Sequence, residues 1–465
     1  MSKENVIVKA GFWYTVTNFL SKGILFLVTP LFTRLLTQEE FGVFSNFSSW
    51  LNILMFVVTL NVDSSLISAR FDFEKRLDSY VFSSLTLSTA SAAVWLVVCN
   101  LFMEPISAFM QLEPAYINAM LVYLVFFPAL QLYQGLERYN YRYKVSAILS
   151  LLSSFGSCLL SVVLVLLMTD RLDGRIYGHV IPNVLIGLGL YVLLAARGKR
   201  VVLRDWGYAM RVCLPYIPHL LSMTVLNSTD RVMITQMRGE TETALYSVAY
   251  NVAMIITLLL NSMNGAFSPW LGEKLNGKEY GDIRRVSKVY ILVFLGFSAG
   301  LMLLAPEVLY IMGGEPYMEA KPIMLPIAMG CMCQFLYTLF VNVEQFYKKT
   351  WGMALASVSA ALLNLVLNYI FIPIFGYVAA AYTTLAGYLW LLLVHMLLVR
   401  RMKMQAVYSY RFIFAVLGVM AVMAAGVALL YANTIARYVC IVLYGAALLA
   451  LLWKYRDTIK RLIKK

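Results

Sequence analysis

Charge is scarce in this sequence. Asp, Glu, Lys and Arg make up 13% of 465 residues, hydrophobic residues make up 61%, and the mean hydropathy is +0.75. A soluble chain of this length cannot hide so much apolar surface in its core, which excludes a soluble enzyme and leaves a polytopic membrane protein. Histidine is scarcer still: His179, His219 and His395 are too dispersed for a metal site. The six cysteines form no CxxC and lie within or at the edges of apolar runs, so no metal centre or disulfide framework is expected. The chain has no GxxxxGK[ST] sequence and hence no ATPase of its own. Long polar stretches are missing too. The longest, about 197–210 and 267–288, cannot hold a catalytic domain, and no cofactor is expected. The first apolar stretch is longer than a signal core and is followed by Arg34 and acidic residues, so it is expected to stay in the chain.

What is present is a series of apolar runs bounded by charges, at 11–33, 41–62, 80–103, 115–136, 145–169, 176–196, 211–230, 243–266, 289–312, 322–343, 352–373, 377–399, 411–431 and 436–453. Each is close to the roughly 20 residues that cross a bilayer as a helix, which predicts an all-α membrane protein of 14 transmembrane helices. Lys and Arg gather on alternate loops. Only Arg34, Arg171, Arg175, Arg231, Arg238, Lys321 and Arg437 fall to the other side, and Lys22 lies within a span. Basic residues accumulate on the cytoplasmic face, so both termini are expected there. The net charge of +14 is therefore a topology signal and does not point to nucleic acid.

The chain repeats itself at an offset of about 202 residues. EEFGVFSNFSSWLNIL from Glu39 matches TETALYSVAYNVAMII from Thr241, ERYNYRYK from Glu137 resembles EQFYKKTW from Glu344, and the turn at Gly174 corresponds to that at Gly376. A parallel six-helix duplication follows, with lobes at 1–200 and 201–403 and two added helices at 404–465. In such a design the pathway lies between the lobes.

The candidate site residues are the polar groups that the spans bury. Lys22 sits near the middle of the first span, where Thr15, Asn18, Lys22, Thr29 and Thr33 fall within about 60° of one another on a helical wheel. A lysine at mid-depth costs roughly 2.5 to 3.5 kcal/mol, so it is expected to face a polar cavity, and a deep cation suits an anionic substrate. Arg34 stands at the outer end of the same span. In the seventh span His219 and Asp230 lie about 20° apart, beside Arg231 and the paired Pro215 and Pro218, which are expected to break the helix. Asp230 and Arg231 are adjacent and need separate partners. Asp63 and Arg70, two turns apart, are expected to share a face, either as an interfacial pair or in the lumen. Asn364 and Asn368 read as helix-joining residues, and Glu137 and Glu344, before the fifth and eleventh spans, as helix-entry carboxylates beside basic neighbours such as Arg138 and Lys348.

KKT at 348–350, NLVLNYIFIPIFGYVAAAYTTLAGYL at 364–389 and TPLFTRLLTQEEFGVF at 29–44 resemble the polysaccharide transport family, part of the superfamily of multidrug extruders and lipid II flippases. The likeness covers roughly the first 400 residues; Ala379 departs from the family's usual glycine. It implies a Wzx-type flippase of the bacterial cytoplasmic membrane that moves an undecaprenyl-diphosphate-linked oligosaccharide by alternating access for surface polysaccharide biosynthesis. The implied partners are that lipid-linked oligosaccharide, the bilayer, and polysaccharide polymerase or export proteins. Coupling to H⁺, Na⁺ or the membrane potential is left open. The competing reading is a cation-coupled multidrug extruder, which uses an acidic residue in the first span; here none lies between Gly11 and Thr33.

Overall fold

A computed structural model describes residues 28–140 and 142–454, together with Gly23 and Phe26. Asn18 and Lys22 lie outside the described residues. All regular structure among the described residues is helical. The main helices are α1 (28–35), α2 (Gln38–Val58), α3 (Leu77–Leu101), α4 (Pro114–Tyr139), α5 (Tyr143–Leu167), α6 (Arg171–Gly198), α7 (Ile217–Arg238), α8 (Glu240–Asn276), α9 (Tyr280–Gly313), α10 (Met324–Phe346), α11 (Thr350–Phe375), α12 (Tyr377–Arg401), α13 (Tyr410–Leu430) and α14 (Thr434–Lys454). Eleven helical segments of the described residues are long and apolar enough to cross a membrane, or twelve with one bent pair, and Thr434–Ala447 is a shorter apolar stretch.

That bent pair, Leu203–Tyr216 and Leu220–Arg238, turns by 54° at Pro215 and Pro218. Proline lacks the N–H that would continue the helical ladder and its ring clashes with the preceding turn. Before the bend lies the amphipathic helix Leu203–Cys213, tethered to the start of α3 by a bidentate pair, Arg76 to Asp205 at 2.6 and 2.8 Å.

Two boundaries differ from the sequence reading in a way that matters. Asp170 caps α6 by accepting from the Leu172 and Asp173 amides, so the helix begins ahead of Arg175 and carries that residue inside. At the other end of α2, Leu60 and Asn61 adopt left-handed φ values of 56° and 49°. The helix therefore stops at Val58, and Asp63 and Arg70 fall on a separate 3-10 turn and a short helix instead of one continuous face.

α3 to α6 pack largely on one another, and so do α7 to α12, with α13 on α9 and α10 and α14 on α9 and α13, while α2 packs more on α7 and α8 than on α3 to α6. The packing repeats: α6 lies on α4 and α5 as α12 lies on α10 and α11. Close α5–α6 contact depends on Gly178, where a Cβ would lie 2.3 Å from the Ser161 Cα. The two groups of helices meet where α2 lies along α7 and α8.

Their contact is tightest at the end of the bundle away from Lys348, Lys349 and Arg401, called here the far end, with those cations at the basic end. Thr37 and Glu40 form a capping box that starts α2 sharply. One turn on, a Cβ at Gly42 would come within 1.9 Å of the Glu240 carbonyl oxygen. Nearby, Thr33 Oγ1 donates to the Met312 carbonyl (2.6 Å), Gln38 Nε2 to that of Pro316 (2.7 Å), and Gln236 Nε2 to that of Phe109 (2.6 Å). The far end is closed.

Candidate functional site

Just inside this closure lies a cavity of about 240 Å³ lined by α1, α2 and α6 of the first group and α7 and α8 of the second. Thr29 and Arg231, Ser45 and Ser247, Ser49 and Asn251, and Asn52 and Met254 all line it. Each of these pairs is separated by the sequence repeat of 202 residues. Residues 202 apart in the sequence thus line one cavity together.

Among the described residues its charged lining is two arginines, with no Asp or Glu. Arg175 enters from α6. Its guanidinium is sandwiched between Phe32 and Phe44, with Cζ 3.9 and 3.8 Å from the ring centroids, and Nη1 donates to Ser161 Oγ at 2.9 Å. The ring faces attract the cation and hold its plane fixed. Among the described residues Arg175 is in no salt bridge, and its Nε is buried without a hydrogen-bond partner. Arg231 enters from α7, about 10 Å from the helix end. Its Nε donates to Ser247 Oγ and its Nη1 to the Asn227 carbonyl, each at 3.2 Å, and Cζ stands 5.0 Å from the Tyr250 ring.

Asp230, its neighbour, points the other way. It is 1% exposed and accepts from Tyr246 Oη (2.7 Å), Thr384 Oγ1 (2.6 Å) and Asn368 Nδ2 (2.6 Å), which ties α7 to α8, α11 and α12. Asn364 and Asn368 bond each other at 3.2 Å within this network. The two asparagines join helices, and Asp230 and Arg231 have separate partners.

The other sequence candidates are scattered. Arg34 is exposed at the far end, where its Nη1 and Nη2 each reach the Ile311 carbonyl at 3.2 Å and bridge the groups by capping the end of α9. Asp63 and Arg70 lie at the base of the first group, away from the cavity. Arg70 stacks on Phe71 and Tyr139, while burial pushes the Asp63 carboxyl above the usual carboxylate range, opposed by its backbone hydrogen bond and Arg138. His219 belongs to the first turn of α7, and its side chain is outside what the structure describes. Of the candidates, only Arg231 reaches the cavity among the described residues. Arg175 was missed because a charge beside an apolar run reads as its boundary; the signal that would have found it is the Asp170 cap five residues earlier. Glu137 and Glu344 lie in the last turns of α4 and α10 instead of opening the helices that follow, and both are buried; Glu137 has a basic neighbour, Arg142, at 4.0 Å.

A model of the family described as polysaccharide biosynthesis protein matches residues 7–274, and one described as MatE matches residues 215–370. Two Haemophilus influenzae proteins, an "Uncharacterized membrane protein" and "Lsg locus putative protein 1", are each 22% identical to this chain and cover 77% of it and 89% of their own length. Among solved structures, the lipid II flippase MurJ in an inward closed conformation superposes with a TM-score of 0.73 at 13% identity, covering 96% of this chain and 99% of that one. An inward-facing multidrug resistance MATE family transporter of the MOP superfamily gives 0.61 at 16% identity, covering 84% and 95%. At such identities the likeness is one of fold.

Proposed function

This chain belongs to the polysaccharide biosynthesis protein family, and from that premise we propose that it is a flippase for a polyprenyl-diphosphate-linked oligosaccharide. The observation that carries the reading is the inter-group cavity, whose charged lining is Arg175 and Arg231 with no carboxylate. A lipid diphosphate needs charge-assisted hydrogen bonds to cross the low-dielectric interior, and guanidinium forks supply them in matched geometry. The sugar needs hydroxyl and amide partners, which Ser45, Ser49, Asn52 and Asn251 offer around the same space. Lys22, which the sequence pattern puts on one stripe with Thr29, is proposed as a further cation of this pathway.

Alternating access supplies the movement. With the far end closed by Gly42 against Glu240, a headgroup reaches the arginines from the basic end; parting of the two helix groups at the far end then releases it. About 240 Å³ holds a diphosphate but not an oligosaccharide, so the groups must separate to pass the sugar while the polyprenyl chain stays in lipid. We assign the basic end to the cytoplasm on the strength of its lysines and arginines, and propose a bacterial cytoplasmic membrane with both termini on that side.

The test is a leaflet-accessibility assay on lipid-linked oligosaccharide in reconstituted vesicles, run beside a cationic drug. Movement of the lipid supports the reading. Drug movement without lipid movement supports the second reading, a multidrug extruder, which the MatE match over residues 215–370 and the buried Asp230 favour.

A further inference from the structure

The last turns of α4 and α10, at the basic end, each bury a carboxylate. Glu137 and Glu344 end α4 and α10 in the same local geometry: the Arg142 amide bonds the Glu137 carbonyl at 2.8 Å, and the Lys349 amide bonds that of Glu344 at 2.9 Å. In both residues Oε2 is buried and has no hydrogen-bond partner among the described residues. Their counter-charges differ. Glu137 has the fixed cation Arg142 at 4.0 Å, whereas Lys349, which follows Glu344 by five residues as Arg142 follows Glu137, is not paired with Glu344, whose Oε1 instead lies 2.9 Å from Nδ1 of His395. The residue 202 positions before His395 is Leu193, so the imidazole is peculiar to the second group.

We propose that Glu344 and His395 form a proton-binding site, loaded from the basic end and linked to the movement of α7. When loaded, the pair holds one proton between Oε1 and Nδ1. When empty, it is a carboxylate beside a neutral imidazole, the proton having left to water at the basic end. Glu344, itself buried, borders a cavity of about 700 Å³ whose other charged groups are Lys348, Lys349 and Arg401, so a small opening of its cover admits water from the basic end. The titratable groups around the pair are Tyr337 on α10, Tyr347 beside the same cavity, and Tyr408 and Tyr410, whose hydroxyls donate to the Leu339 and Met396 carbonyls; Tyr280 reaches Met404 from α9. All of these are tyrosines or cations, and the acid–base couple is Glu344 with His395.

A line of contacts joins the pair to the candidate site. The His395 ring stacks on Tyr337 (5.7 Å), Tyr337 on Tyr388 (6.3 Å), and Tyr388 Oη donates to Asn227 Oδ1 (2.9 Å), whose backbone carbonyl accepts from Arg231. A buried charge that appears or disappears at one end of packed aromatic rings changes their best packing, and α7 is the element that follows.

The experiment uses the full chain in lipid vesicles and needs no transported substrate, so its failure is separable from failure of the flippase reading. Infrared difference spectra across a pH titration should show a carboxyl band that is lost in Glu344→Gln and altered in His395→Gln. In parallel, spin labels at Glu113 and Thr241 should report a distance between the helix groups that changes with pH in the parent and not in either variant. A carboxyl band unaltered by Glu344→Gln, or a pH-dependent distance that survives in both variants, would overturn the proposal.

Discussion

Gly42 of α2 touches the backbone of Glu240 at the start of α8, so closely that a Cβ at position 42 would lie 1.9 Å from the Glu240 carbonyl oxygen. Backbone cannot yield as a flexible side chain does. Gly42→Ala should therefore leave each helix group folded but hold the far end apart. A shift of about 1.4 kcal/mol or more in the open–closed equilibrium is expected, at least tenfold in population. Spin-label distances across the far end check this, and an unchanged distribution would count against closure by this contact.

Arg175 carries the cation with the most rigid setting. Arg175→Ala should lower transport by roughly 10- to 100-fold, matching the loss of about 1.5 to 3 kcal/mol from a charge-assisted contact. Arg175→Lys should recover only part of it, because an ammonium keeps the charge but cannot lie flat between Phe32 and Phe44 or offer a fork. Lys22→Ala should likewise stop polymer export with the protein still inserted, and Lys22→Arg should keep some activity. Export from living cells with matched membrane protein levels is the measurement.

Asp230 and Arg231 are sequence neighbours with opposite expected phenotypes. Asp230→Ala strands Tyr246, Thr384 and Asn368 without their shared acceptor and should cost on the order of 3 kcal/mol of stability, seen as a lower thermal midpoint in detergent. Arg231→Ala should leave that midpoint nearly unchanged and cut transport.

These neighbours also show what was legible beforehand. Apolar runs bounded by charges placed most helices after the first within about five residues, because a bilayer demands length and hydropathy whatever the tertiary contacts. α7, however, lies well past the run at 211–230, and α8 and α9 extend well beyond theirs at the basic end. The 202-residue offset, read from Glu39 and Thr241, returned in the paired lining of the cavity. Direction was not legible. A charge next to an apolar run marks its edge equally well whether it turns outward, as Arg34 does, or inward, as Arg175 does. The acceptors around Asp230 and the imidazole beside Glu344 come from helices far along the chain, and no local pattern names them.

Asp63 gives a pH signature. Burial raises its carboxyl pKa in the folded protein, so the folded state binds a proton that the unfolded chain has already released. Stability should fall as pH rises from the ordinary carboxylate range through the raised one, and the penalty is full above it. Asp63→Asn should remove that slope and raise the thermal midpoint at neutral pH relative to the parent. Parallel melting curves from pH 4 to 7 check it.

The central claim is that the arginine-lined cavity recognises a lipid diphosphate. Native mass spectrometry of the purified protein with undecaprenyl diphosphate and with undecaprenol, in equal amounts, tests it most directly. The expected result is preferential retention of the diphosphate, lost in the Arg175→Ala, Arg231→Ala double variant while undecaprenol binding is unchanged. Equal retention of the two lipids, or a diphosphate preference that survives removal of both arginines, would contradict it.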